Sequence, residues 1–407
     1  MMWLAAGAGG LAIHLLLWQV SEPADLFSDF YKANWQAAEH LWDEGLRATW
    51  PVTEKGGFSN LPALAWLFVP LVPVGEELAG WAFTAVGFAA LTAAWVLLAR
   101  LASLDAPRTA GLLFFFLVNG PVVNSMREGQ SSHWILLFLV VALLLWQAKR
   151  EYAAGVVLGV CAIYKLPLLL LGLYFLLRRR WPIVAGGATS ISVVVLLSLA
   201  QFGIAGLVGW YSEWIGPYLG SVVAAFNVQS INAFLVRLAT EVTELRDWEP
   251  REPSTAHKIA RLCAYAVMLG GSYWLLWRAE RSGPAPRANG APSARHLLEF
   301  VLVLDLALVI SPLSWSHYYL FLLLPWALYL GGKLPLPDDA TTRWLMRTGF
   351  VLVSLPVVLA APEEPSWFAS VLARTIVSAW LFGGLLMFAA LARGAWRADI
   401  GVSEAQL

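Results

Sequence analysis

The sequence predicts an all-α, polytopic integral membrane protein, and three observations carry that prediction. Hydrophobic residues make up 59% of the 407 residues and charged residues only 13%, against about 25% charged in an ordinary globular domain. The apolar residues fall in runs near the roughly 17 to 25 residues that one helical crossing of a hydrocarbon core about 30 Å thick requires. Lys plus Arg and Asp plus Glu number 27 each, so no net positive charge points to nucleic acid.

Taken in order, the runs at 3–20, 79–99, 109–126, 132–147, 152–166, 167–177, 182–203, 259–277, 297–314, 317–332, 345–361 and 367–392 read as about twelve crossings. Residues 152–177 read equally well as one helix kinked near Pro167. Residues 3–20 lack a basic start and a small-residue cleavage site, so the expectation is a retained first helix. With the N-terminus in the cytoplasm, most Lys and Arg, including Lys149, Arg150 and Arg178 to Arg180, fall on the cytoplasmic side. The external side takes most acids, which fits the positive-inside rule. A crossing by residues 61–74 would turn the Arg178 to Arg180 cluster outward, so this short Pro-containing segment reads as a helix dipping in from outside.

The whole of 1–407 reads as one transmembrane domain. Residues 21–60 and 204–258 form two long external loops carrying Trp and Tyr, and 278–296 reads as a flexible cytoplasmic linker rich in Pro, Gly and Arg.

The polar residues that could carry chemistry cluster at loop ends. Asp25 and Asp29 follow the first run, where a carboxylate could serve as general base for an attacking alcohol or simply be a solvated charge. Lys165, at the end of an apolar run, either snorkels to the interface or partners an anion such as a lipid phosphate. Asp305 lies inside an apolar run and suits either an interhelical contact or a cation pathway, the latter supporting an alternative reading as a secondary transporter or flippase. Gly129-Gln130, Asn227 to Asn232 with Arg237, and Ser311 to Tyr319 add amides, hydroxyls, aromatics and His on the external side, the groups expected around a sugar. The two cysteines and six histidines show no metal-ligand spacing.

The ordered set Ser28-Asp29-Phe30-Tyr31, Gly129-Gln130, Lys165 with Pro167, Arg178 to Trp181, Gln229-Ser230 with Arg237, and Ser311-Pro312-x-Ser314-Trp315-x-His317 resembles the polyprenyl-phosphate-sugar-dependent transferases of glycosyltransferase family 87, in the GT-C superfamily. The chain departs from that pattern at Asn60-Leu61-Pro62, at Val228 and at Tyr318, where the family often has Tyr-Pro-Pro, Asn and a second His.

The resemblance implies a GT-C type fold. It also implies transfer of a hexose, most simply mannose, from a polyprenyl-phosphate sugar to a lipid-linked or glycan acceptor, with inversion and no cofactor. The setting it implies is a bacterial-type inner or plasma membrane, with membrane lipids around the chain, both termini cytoplasmic and the site outside. On that resemblance Asp29, with Asp25 as understudy, is the expected base. Lys165, Arg237 and His317 are expected at the donor phosphate, and Tyr31, Gln130, Gln229, Ser230 and Trp315 at the substrates. No D-x-D motif or phosphate-binding Gly loop is present, which disfavours a metal-bound nucleotide sugar.

Overall fold

Proline, glycine and polar residues cut the apolar runs into shorter pieces than hydropathy alone suggests. The computed structural model describes residues 2–19, 26–50, 57–281, 291–356 and 366–397. Its α-helices are α1 (Met2–Gln19), α2 (Gln36–Glu44), α3 (Glu76–Leu101), α4 (Ala106–Val118), α5 (Gly120–Arg127), α6 (Ser132–Gln147), α7 (Glu151–Tyr164) and α8 (Leu169–Leu177). They continue with α9 (Trp181–Trp210), α10 (Ile231–Arg237), α11 (Thr255–Arg281), α12 (Ala294–Ile310), α13 (Leu323–Leu330), α14 (Ala340–Ser354), α15 (Trp367–Ile376) and α16 (Ala379–Arg397). Among the described residues the only β pairing is two isolated bridges, Val222 with Arg251 and Val228 with Trp315.

The all-α class holds, but the expectation of about twelve crossings is overturned. Among the described residues four helical stretches, Glu76–Leu101, Trp181–Tyr218, Thr255–Arg278 and Ala379–Arg397, are long and apolar enough to cross a membrane. A fifth is reached if α4 and α5, bent by 48°, count as one. The remaining runs fall short for local reasons. α7 has 14 residues, about 21 Å at 1.5 Å per residue. It stops at Lys165, whose φ of −137° and ψ of 87° leave the helix, and Pro167 has no N–H for the Ile163 carbonyl, so the chain resumes as a 3₁₀ turn over Leu166–Leu168. The 61–74 segment forms two 3₁₀-helical stretches, Pro62–Leu67 and Val69–Val74, set by its prolines. Residues 367–392 divide into α15 and α16. Asp25 and the middle of the 278–296 linker lie outside the described residues.

The α4–α5 bend shows how a break is made tolerable. Pro121 has no N–H for the Leu117 carbonyl four residues back, and Nδ1 of His14 on α1 donates to that oxygen at 2.7 Å. The Asn119 side chain then caps α5, accepting from the Val122 N–H at 3.2 Å.

At the centre stands α12, whose residues His296 to Val309 are all buried; a helix apolar on every side belongs in a core. The chain then returns through Ser316–Leu322 and α13, equally buried over most of their length. Small residues let α7 and α9 touch backbone to backbone. A Cβ on Gly155 would strike the Ile183 carbonyl, and one on Gly186 the Tyr152 carbonyl. Close approach of this kind is the means by which helices gain van der Waals contact in lipid.

A buried ionic knot fixes α8 to α12. Glu299 accepts from Arg178 at 2.6 and 3.0 Å, from the Tyr174 hydroxyl at 3.0 Å and from Arg295 at 3.1 Å. Removing one partner of such a buried pair typically costs about 3–5 kcal/mol.

Candidate active site

The first long loop is anchored by aromatics. Phe27 and Phe30 are three residues apart and both buried, Phe27 edge-on to Trp81 at 5.0 Å and Phe30 stacked on Phe83 at 4.9 Å. Phe27 sits at φ 59°, a left-handed conformation that costs a non-glycine residue about 1–2 kcal/mol. Its N–H donates to the Arg127 carbonyl at 2.7 Å, and the N–H groups of Asp29 and Phe30 share the Glu128 carbonyl at 3.1 and 3.3 Å. The Ser28 hydroxyl donates to the Glu128 carboxylate at 2.9 Å. The segment 27–30 is thereby clamped to the turn that follows α5.

That clamp depends on Gly129. Its φ is 69°, and a Cβ there would lie 2.5 Å from the Cβ of Phe30. The next residue, Gln130, is pinned by its N–H to the Ser125 carbonyl at 2.8 Å. Its Nε2 donates to Oδ2 of Asp29 at 2.5 Å, while its Oε1 accepts from Nζ of Lys165 at 3.3 Å. The two charged partners dictate which way the amide points. Lys165 ends α7 as a buried residue, and its ammonium also lies 4.6 Å from the centre of the Tyr318 ring.

Burial pushes the Asp29 carboxyl above its ordinary range, partly offset by the Gln130 hydrogen bond and the charges of Lys165 and Lys32. Burial also lowers the Lys165 ammonium to about 7, against the pull of Asp29. A carboxylate held as a stronger base and an ammonium easily discharged thus share one small site.

Two histidines line the same region. His133 is buried with Nδ1 3.1 Å from the Ser125 hydroxyl, and its Nε2 has no partner among the described residues. His317 is buried, its ring 4.9 Å from that of Tyr318, and its Nε2 also has no partner among the described residues. Tyr31 packs edge-on to Phe27 and Phe30 at 6.1 and 5.7 Å.

The profile of glycosyltransferase family 87 matches residues 58–312. The chain belongs to this family. A relative in Mycolicibacterium smegmatis, named polyprenol-phosphate-mannose-dependent alpha-(1-2)-phosphatidylinositol pentamannoside mannosyltransferase, is 27% identical over 322 residues, covering 76% of this chain and 70% of its own. Two proteins named polyprenol-phosphate-mannose-dependent alpha-(1-2)-phosphatidylinositol mannoside mannosyltransferase are also similar. The one from Mycobacterium tuberculosis is 24% identical over 81% of this chain and 75% of its own. The one from M. smegmatis is 29% identical over 50% of this chain and 42% of its own. No solved structure matches the chain.

Within this family 87 chain the expected site residues divide into two groups. Asp29, Gln130 and Lys165 form one chain of contacts that runs on to Tyr318, which was not among the expected residues, with His317 beside it. Gln229, Ser230 and Arg237 are engaged elsewhere. The Arg237 guanidinium, fully buried, donates to the carbonyls of Ala225 and Val228 at 3.1 and 2.7 Å and to the Ser378 hydroxyl at 3.0 Å. The Gln229 amide donates to the Phe226 and Val377 carbonyls. Ser230 caps α10 through the Ala233 N–H at 3.1 Å. Trp315 pairs its backbone with Val228, and the neighbouring Ser316 N–H donates to the Asn227 carbonyl at 2.7 Å. This second group braces the loop that supports His317 and Tyr318.

His133 and Ser125 were not singled out in the sequence. The one available signal is position: His133 is a polar side chain in the first turn of an otherwise apolar α6, three residues after Gln130.

Proposed function

We propose that this family 87 membrane protein transfers a hexose, most simply mannose, from a polyprenyl-phosphate-linked donor to a hydroxyl of a lipid-linked or glycan acceptor at the external membrane face, with inversion. The observation that carries the reading is the half-buried Asp29 carboxylate and the buried Lys165 ammonium at opposite ends of one amide. The names of the relatives supply mannose and the polyprenol phosphate.

In this reading Asp29 takes the proton of the acceptor hydroxyl as its oxygen attacks the anomeric carbon. The bond from that carbon to the phosphate oxygen breaks on the opposite face, and polyprenyl phosphate departs with the bonding pair. Lys165, with His317 beside it, meets the charge that gathers on the phosphate. A phosphate leaves without a proton, so one carboxylate suffices where a glycosidase needs two. Tyr31 and Trp315 remain candidates for sugar contact. Arg237, Gln229 and Ser230 serve by shaping the loop beneath His317.

The test is transfer from a radiolabelled panel of polyprenyl-phosphate sugars into membrane lipids, comparing wild type with Asp29→Asn and Asp305→Asn at matched expression. Loss of roughly 100- to 10,000-fold in Asp29→Asn, the range of general-base catalysis, with transfer retained in Asp305→Asn, supports the reading. Transfer indifferent to Asp29 sinks the assigned base, and activity lost only in Asp305→Asn returns the transporter reading.

A further inference from the structure

Gln130 was expected at the sugar, yet both ends of its amide are occupied by charged protein groups. Oε1 accepts from Lys165 at 3.3 Å and Nε2 donates to Asp29 at 2.5 Å. Its backbone is equally committed, through the Ser125 carbonyl at 2.8 Å and the left-handed turn at Gly129. A side chain so placed has little freedom to turn toward a ligand.

A glutamine suits this position for a physical reason. In a buried site an ammonium and a carboxylate attract strongly, and a direct pair would lower the basicity of the carboxylate while using the charge of the ammonium. A neutral amide between them satisfies a donor on one side and an acceptor on the other without cancelling either charge. A glutamate here would set a second carboxylate against Asp29, and a lysine would set a second ammonium against Lys165. We infer that Gln130 is a positioning residue, a neutral spacer that keeps Asp29 out of a direct ion pair with Lys165, leaving the carboxylate for the acceptor and the ammonium for the donor phosphate. The inference rests on the transferase reading for its purpose, though the spacing itself can be measured without turnover.

Lys32, on the same loop, acts on Asp29 through its charge and is exposed. From the turn after α5, Glu128 takes the Ser28 hydroxyl and lies 3.8 Å from Arg127. On the Lys165 side stand His133 of α6, His317 and Tyr318, with His133 and His317 close enough to feel the ammonium.

The experiment is infrared titration of the Asp29 carboxyl in the purified full chain, its band assigned by difference against Asp29→Asn. Wild type is compared with Gln130→Met, similar in length but without the amide, and with the near-isosteric Gln130→Glu. With the spacer gone, the carboxylate closes on Lys165 and its midpoint falls by about one to three pH units. Lys165→Met in the Gln130→Met background then raises it again. In Gln130→Glu the midpoint rises, because the new carboxylate neighbours Asp29 and takes Lys165 for itself. In transfer, both single variants raise the donor KM, and Gln130→Met lowers kcat by about 10- to 100-fold as the base weakens.

A midpoint that rises in Gln130→Met makes Gln130 a mere hydrogen-bond donor, and one that stays put removes it from the site's electrostatics; either overturns the inference. Because the infrared midpoint needs no sugar donor, a chain that shifts as expected but transfers nothing faults the transferase reading and leaves the spacer intact.

Discussion

Asp29 and Lys165, 136 positions apart in the chain, hold opposite ends of the Gln130 amide, the carboxylate at 2.5 Å from Nε2 and the ammonium at 3.3 Å from Oε1. Burial acts on the two in opposite senses, raising the carboxyl and lowering the ammonium to about 7. As a base Asp29 works deprotonated, so activity falls as pH drops through a value above the ordinary carboxylate range. As a phosphate partner Lys165 works protonated, so activity also falls as pH rises through about 7. The profile of kcat/KM is therefore a bell with a narrow top. Because kcat reports the loaded enzyme, in which a bound phosphate stabilises the ammonium, its alkaline limb lies at higher pH. In Lys165→Arg, whose guanidinium stays charged, the alkaline limb of kcat/KM disappears from the region of pH 7. Its persistence there would assign that limb to another group.

Gly129 makes the contact between the loop and the amide possible, and Gly45 supplies a control. Both have positive φ, 69° and 59°, but an added Cβ at Gly45 meets nothing within 4 Å while one at Gly129 meets Phe30. Gly45, at φ 59° and ψ −135°, lies in a region nearly confined to glycine, so Gly45→Ala is expected to cost about 1–3 kcal/mol from its dihedrals alone. Gly129→Ala adds a collision that moves Asp29, and a misplacement of about 1 Å can cost on the order of 100-fold in rate. Thermal unfolding and transfer measured on both variants decide the matter. Equal behaviour of the two would mean that the clamp yields without harm.

The sequence marked each member of the Asp29, Gln130 and Lys165 group separately, because a polar residue at the end of an apolar run is visible without a structure. Their meeting was not visible, since it joins segments 101 and 35 residues apart. Arg237 reads the same in sequence whether it faces a phosphate or three groups of its own chain. A lone His133 within an apolar stretch carried no signal of its partner Ser125. The number of crossings misled for a related reason: a hydropathy window counts apolar residues without distinguishing a lipid-facing helix from a core helix such as α12. Nor does it register that Pro121 and Pro167 end helices before they reach membrane length.

The internal bonds of Arg237 predict a structural phenotype. Arg237→Ala strips partners from the Ala225 and Val228 carbonyls and the Ser378 hydroxyl. Hydrogen bonds to charged groups contribute about 1.5–3 kcal/mol each when buried, so a clear drop in unfolding temperature is expected. Arg237→Lys recovers little of it, because an ammonium cannot reproduce the fork. The donor KM of whatever folded enzyme remains is expected to rise by less than about tenfold, and only together with the lost stability, because Arg237 acts on His317 through the loop beneath it. A donor KM raised tenfold at unchanged unfolding temperature would place Arg237 at the phosphate instead.

Asp305 predicts the reverse sign. It lies fully buried in the middle of α12, and neither carboxylate oxygen has a partner among the described residues. An added Cβ on Gly384 of α16 would lie 3.4 Å from Oδ1 and 2.9 Å from the Tyr319 ring, which places all three at one packing point. The Tyr319 hydroxyl does not serve the carboxylate, since it donates to the Gln229 carbonyl at 2.7 Å. A polar group left without a partner in such a place costs about 1–3 kcal/mol. Leucine has the same branching as aspartate and no polar atoms, so Asp305→Leu is expected to stabilise the fold by about that amount. At the roughly 2–4 °C per kcal/mol typical of larger domains, the unfolding temperature rises by several degrees at a fixed scan rate. Sugar transfer stays within about two-fold of wild type, because Asp305 shares no partner with Asp29, Gln130 or Lys165. A variant that is more stable yet inactive would mean that the unpartnered carboxyl is kept for the reaction.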